Sequence, residues 1–341
     1  MRHLVIGLAL VSASAAARDL PVPPDKGWKH AATGVVLTAQ LAGMHRTALT
    51  DATDSESDVT AQFETDDGSV FATVFLFRPA VADVGVWFDR ARTALEAGDR
   101  FRDAAPATVD PLSFATGGAP ATSSLRQVYA MAGGPYRSTG LAVMPVGDWI
   151  ITLRMSAKAR TAAELDAQML QTIAAMHWPT PAGLAVTPAA PVKACATPLV
   201  FGKAKQVKGD GGDLLSSLLM GSVKSKVRAE SKEAVEPHPT WCRNGEGRVE
   251  YAAYRSSLDM SGYTLALFDS GRAVSVFPSL MAQIEKTGVY SVTLEDVDGT
   301  SYAYPSFSSL PSPEQVWKLL ERGERIGTAK EGKITLSPKA L

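Results

Sequence analysis

Residues Val70 to Arg78 read VFATVFLFR. Val70, Ala72, Val74 and Leu76 alternate with Phe71, Thr73, Phe75 and Phe77, so an extended chain here is apolar on both faces, and both need covering. That is the pattern of a central strand. Before it, Asp66-Asp67-Gly68 supplies residues that tolerate positive φ, which predicts a tight hairpin back to Val59–Glu64. After it, Val84, Trp87, Phe88, Ala91 and Leu95 recur at helical spacing across Ala82–Ala97, with Asp83 placed to cap the start and Gly98 to end the helix. The helix is expected to lie on the sheet.

Outward from this centre, Gly34–Gln40 and Arg46–Leu49 read as extended and Asp51–Asp58 as a solvated acidic loop. Ser124–Met131, Ser138–Met144 and Trp149–Ser156 are strand-like and are separated by Gly133-Gly134-Pro135 and Gly147-Asp148, both turn signals. In the last strand Arg154 stands on a face with Ile150 and Thr152, which predicts an edge position or a charged partner. Thr161-Ala-Ala-Glu164 is a capping box, and Leu165, Met169, Ile173 and Met176 carry a helix to His177-Trp178-Pro179.

The order over residues 28–178 is strands, hairpin, helix, three more strands and a closing helix. Together with the FATVFLFR, GDWIITLR and capped-helix stretches it resembles the Mog1/PsbP-like fold, an antiparallel sheet flanked by helices. The resemblance implies an α+β domain over 18–180 and a non-catalytic binding or assembly role.

The stretch 181–194, within PTPAGLAVTPAAPVKA, is rich in Pro and Ala and reads as a semi-rigid linker. Residues 195–341 read as a second α+β domain of unrecognised fold. Val249–Ser256, Tyr263–Phe268 and Ala273–Phe277 are strand-like, the last two joined through Asp269-Ser270-Gly271. Val289–Glu295 and Ser301–Tyr304 pair around Asp298-Gly299, and Ser312-Pro313-Glu314-Gln315 caps a helix with Pro at its first position.

The 341-residue chain has a net charge of −1 and is 45% hydrophobic, a globular composition without the basic patches of a nucleic-acid binder. Residues 1–17 place Arg2 and His3 before the apolar run Leu4–Val11 and the small residues Ala15-Ala16-Ala17, the layout of a secretory signal peptide. The run is too short to span a bilayer. The expected location is therefore periplasmic or secreted. Cys195 and Cys242 are the two cysteines, and in an exported chain such a pair reads as a structural disulfide rather than a redox or metal site.

No catalytic, cofactor-binding or metal-ligating set emerges from the motifs. The histidines remaining after export, His30, His45, His177 and His238, lie too far apart in sequence for a helical metal pair, and His-Glu-x-x-His is absent. Gly-x-Ser-x-Gly and Ser-x-x-Lys are absent too. The Asp51–Asp58 loop lacks the glycine and terminal glutamate of an EF-hand, and Asp296-Val-Asp298-Gly299 reads as a hairpin turn. Lys208–Asp213 lacks the Gly-Lys-Ser/Thr of a phosphate loop.

The leading expectation is an exported binding or assembly module of the bacterial cell envelope, its partner an unidentified envelope protein or ligand. One alternative is a hydrolase with a dispersed site around His177 or His238. Another is peripheral membrane contact through Leu214–Arg228, where Leu214, Leu215, Leu218, Leu219 and Val223 form an apolar stripe ending in Lys224, Lys226 and Arg228.

Overall fold

The computed structural model describes residues 17–101, 103–117, 121–179, 188–207, 239–285 and 287–337. The expected signal peptide, apart from Ala17, lies outside them. So do residues 181–187 of the expected linker, Lys208–Asp213, the Leu214–Arg228 stripe and His238.

Two antiparallel sheets dominate, with few helices, a mixed α+β architecture. The first is built on β1 (Met44–Asp51), β2 (Asp58–Glu64) and β3 (Val70–Phe77), followed by helix α1 (Val84–Glu96), then β4 (Ser124–Met131), β5 (Ser138–Val146), β6 (Trp149–Ala157) and helix α2 (Ala162–Ala175). Its long strands run β1-β2-β3-β6-β5-β4, which puts β3 and β6 at the centre. Local chemistry fixes the joints. In the β2–β3 turn Asp67 accepts from the Thr65 hydroxyl at 2.7 Å and the Ser69 amide at 3.0 Å. These bonds hold its carboxyl down to about 2. Asp83 accepts the Val86 N–H at 2.8 Å at the start of α1, and Thr161 and Glu164 form the reciprocal box that opens α2.

The second sheet is a meander of β7 (Trp241–Arg243), β8 (Tyr251–Ser256), β9 (Asp259–Leu267), β10 (Ala273–Pro278), β11 (Tyr290–Glu295), β12 (Ser301–Phe307), β13 (Gly327–Lys330) and β14 (Lys333–Leu336), in chain order across the sheet. Helix α3 (Leu280–Glu285) follows β10 and α4 (Pro313–Glu321) follows β12. Lys193–Ala194 runs parallel to β7 at the outer edge. Cys195 and Cys242 are joined there by a disulfide with Cα atoms 4.9 Å apart.

Alternation along the strands divides the interior into separate layers. Val70, Ala72, Val74 and Leu76 of β3 pack with Ile151, Leu153 and Met155 of β6 and with Leu165, Met169 and Ile173 of α2. On the other face Phe77, Leu125, Leu141, Val143 and Ile150 pack with Val84, Val86, Trp87, Phe88, Ala91 and Leu95 of α1. The same cluster contains Ala252, Tyr254, Ala266 and Val297 of the second sheet. The opposite face of that sheet packs Tyr251, Tyr263, Leu265, Val274 and Val292 with Val316 and Leu319 of α4. Helix α1 therefore lies between two sheets, where the sequence pattern implied one. Val84, Val86, Trp87 and Phe88 wrap more than one side of the helix, and the second sheet covers the side that the first does not. Within 188–194, Ala189 donates its N–H to Thr122 at 2.9 Å, and Val192 packs against this shared cluster.

Candidate functional site

The Asp51–Asp58 loop is folded around its first residue. Asp51 is buried, and its Oδ1 accepts the Thr53 amide at 2.9 Å and the Thr53 hydroxyl at 2.8 Å. Its Oδ2 accepts the Glu56 amide at 3.0 Å and Nη2 of Arg18 at 2.9 Å. The expectation of a solvated acidic loop thus fails at Asp51, because a carboxylate can be buried where four donors satisfy it. Glu56 takes a positive φ of 56°, and its carbonyl accepts from Nε2 of the buried His30 at 3.1 Å. Burial lowers the His30 pKa below its ordinary value, against the raising effects of the Glu56 carbonyl and of Asp51. The ring stands edge-on to Trp149, with centroids 4.5 Å apart.

Facing this loop are three turns of the second sheet. Between β9 and β10, Arg272 reaches both halves, donating from Nη1 to Asp58 Oδ2 at 3.3 Å and pairing through Nε with Asp296 Oδ1 at 2.9 Å. Between β11 and β12, Asp296 accepts the Val297 amide at 2.7 Å, and Asp298 accepts the Thr300 amide at 2.9 Å. This confirms a hairpin turn at Asp296–Gly299. At the β13–β14 turn, Lys330 donates to Asp298 Oδ2 at 2.6 Å.

Loop and turns enclose a cleft of about 280 Å³ lined by Ala52, Thr53, Asp54, Ser55, Arg272, Asp296, Asp298 and Lys330. Burial pushes the Asp58 carboxyl up, outweighing the Arg272 guanidinium beside it. Asp298 is also partly buried, yet the bonds from Lys330 and Thr300 prevail and its pKa is lowered. Lys330 is raised by its bond to Asp298. Arg272 and Lys330 are committed to these carboxylates. Asp54 is exposed, and its carboxylate has no partner among the described residues. The lining is therefore net acidic, with hydroxyls from Thr53 and Ser55. It suits a cationic or hydroxyl-bearing group by charge and hydrogen bonding.

The other sequence candidates lie elsewhere. His177 is exposed after α2, its backbone paired with Val36 through N–H···O contacts of 3.2 and 3.0 Å. His45 lies 3.2 Å from Asp66 at the opposite end of β1 from the loop. Among the described residues no group of histidine, cysteine, aspartate and glutamate is arranged to hold a metal ion. No helix among them is long and apolar enough to cross a membrane. Arg154, in the central strand β6, pairs with Asp269 of the second sheet.

Sequence reading passed over the polar centre of the seam, Asp89 and Arg90 in the middle of α1. Arg90 is fully buried and donates from Nε to the Phe268 carbonyl at 2.6 Å, from Nη1 to that of Arg248 at 2.8 Å and from Nη2 to that of Val249. Asp89 accepts the Tyr254 hydroxyl at 2.7 Å and Nη1 of Arg243 at 2.9 Å. The available signal was an Asp-Arg pair inside a helix whose apolar residues already exceed one face. No protein-family model, curated protein or solved structure matches this chain.

Proposed function

We propose that the chain is an exported binding or assembly module of the bacterial cell envelope, and that the acidic cleft receives a basic segment of its partner. The observation that carries the reading is that cleft, assembled from the Asp51–Asp58 loop of the first half and Arg272, Asp296, Asp298 and Lys330 of the second. Loops held by a rigid scaffold are where recognition concentrates. The order of strands and helices across 28–178 supports a Mog1/PsbP-like reading of the first unit, 18–180, with 181–194 leading to the second unit, 195–341. The disulfide is compatible with an oxidising compartment, and the amino-terminal layout supports export to it.

The test is capture of partners by the mature protein from its own envelope, with mass spectrometry of what is retained. Asp54→Lys reverses the unpaired carboxylate of the cleft and is expected to weaken capture by at least about tenfold while leaving stability within about 0.5 kcal/mol. His177→Gln is expected to leave capture unchanged. Capture indifferent to Asp54→Lys removes the cleft from the reading. Turnover of a small substrate that vanishes in a folded His177→Gln variant replaces the binding role with the hydrolase alternative.

A further inference from the structure

We propose that Arg92 and Arg243 form a binding site for a phosphate-type oxyanion on the seam between the two sheets, sharing no residue with the acidic cleft. Arg92 comes from α1 and Arg243 from β7, and both converge on Asp89. Nη2 of Arg92 lies 3.1 Å and Nη1 of Arg243 2.9 Å from the same oxygen, Oδ1. The two guanidiniums are thereby held side by side, each side chain 30% exposed, over a carboxylate that is 4% exposed.

Asp89 cannot satisfy them. Its Oδ2 is already engaged by the Tyr254 hydroxyl at 2.7 Å and again by Arg243 at 3.1 Å. Burial keeps the Tyr254 phenol well above its ordinary pKa, so it stays a neutral donor and adds no negative charge. Nε of Arg92 and Nε of Arg243 are both buried without an acceptor. Glu96 Oε1 lies 4.0 Å from Arg92 Nε, beyond hydrogen-bond reach, and itself accepts from the Tyr129 hydroxyl at 3.3 Å.

Charge points the same way as geometry. Arg90 adds a third guanidinium one residue from Asp89, and its acceptors are three neutral carbonyls. Three cations thus face Asp89 and the half-exposed Glu96, an excess of positive charge where water is partly excluded. The two Nε atoms lie out of a solute's reach, and it is the 30% exposed remainder of each guanidinium, beside this charge, that an anion can meet. A planar carboxylate matches a single guanidinium fork. Two guanidiniums arriving from different elements, each with one Nη held by Asp89, match an acceptor with several oxygens disposed in space, which is a phosphate group.

The experiment is calorimetric titration of the full-length exported protein with inorganic phosphate in a chloride buffer, alongside Arg92→Gln, Arg243→Gln and Arg154→Gln. Saturable binding with a Kd of about 1 mM or tighter is expected. Arg92→Gln and Arg243→Gln should each weaken it by at least about tenfold. Arg154→Gln removes a different ion pair of the seam and should leave it unchanged. Arg243 also braces Asp89, so Arg92→Gln decides the matter if Arg243→Gln fails to fold.

Phosphatidic-acid vesicles distinguish a lipid headgroup from a soluble phosphate. Phosphate binding with vesicle binding that also requires Arg92 assigns the site to a headgroup, and phosphate binding without vesicle binding assigns it to a solute. Absence of saturation at about 10 mM phosphate, an equal loss in Arg154→Gln, or binding to vesicles that survives Arg92→Gln overturns the proposal.

Discussion

Arg90 of α1 donates a 2.6 Å hydrogen bond to the carbonyl of Phe268, 178 residues further along the chain. The carbonyl is presented by a residue at a positive φ of 46°, a strained conformation for an aromatic side chain. Arg90 is thus the polar counterpart of the apolar packing on both sides of α1. Replacing it by methionine keeps much of the volume but leaves the carbonyls of Arg248, Val249 and Phe268 without their donor. The expected loss is about 3–5 kcal/mol. Urea unfolding followed by tryptophan fluorescence should show one cooperative transition for the wild type and the same single transition, shifted, for the variant. Two separate transitions in the wild type would mean that the halves do not share a core.

Gly271 makes the same seam sensitive to a single methyl group. It sits at φ 79° in the β9–β10 turn, and a Cβ there would fall 2.6 Å from Cδ2 of Phe77 and 2.9 Å from Cγ1 of Val297. Gly271→Ala combines left-handed strain with overpacking, for an expected cost of about 2–4 kcal/mol. The neighbouring Ser270→Ala loses only a hydroxyl bonded to the Leu267 carbonyl and should cost about 1 kcal/mol. Equal effects would show that the methyl group is accommodated.

His30 gives the first sheet an acid-sensitive joint. Its folded-state pKa lies below the ordinary 6.5, because burial disfavours the imidazolium. The folded state therefore binds fewer protons than the unfolded chain between the lowered pKa and 6.5. Stability from this group is complete above 6.5 and declines as pH falls through that window. The melting temperature should drop on acidification from about pH 7.5 to about pH 5, and His30→Gln should flatten part of the slope. An unchanged slope in His30→Gln would assign the acid sensitivity to other groups.

The Cys195–Cys242 disulfide closes a 47-residue separation, and chain-entropy reasoning makes such a crosslink worth about 4 kcal/mol. Because α1 is shared, reduction is expected to lower the melting of the whole molecule rather than of the second sheet alone. Alkylation should find no thiol before reduction and two after it. Free thiols in air-purified native protein would contradict the bond.

What was legible in the sequence was local. The β3 strand, the Asp66–Gly68 turn, the Asp83 cap and the boxes at Thr161 and Ser312 are each specified by residues within a few positions of one another, and each is present. The β13–β14 hairpin was not legible. Its turn places Glu331 at φ 51° before Gly332, so the Asn-Gly or Asp-Gly signature of such a turn is missing. The seam and the cleft were hidden for a different reason. Asp58, Asp89 and Arg272 have plain exposed readings in isolation, and their pairing depends on a sheet far away in the chain, whereas Asp51 is held by Thr53, Glu56 and Arg18, whose donors only the folded loop brings together. Spacing within a segment carries the shape of that segment and not the identity of what covers it.

One wall of the α1 layer is completed by Tyr254, which follows Asp89 by 165 residues. At a synthesis rate of about 5–20 residues per second, Asp89 on α1 waits about 8–33 seconds for that wall to exist. Throughout that delay the side of α1 meant for the second sheet, with the charges of Asp89 and Arg90, faces whatever surrounds the nascent chain. The molecule thus has a timing requirement as well as a geometric one: something must keep the early half from associating with its neighbours until the late half arrives.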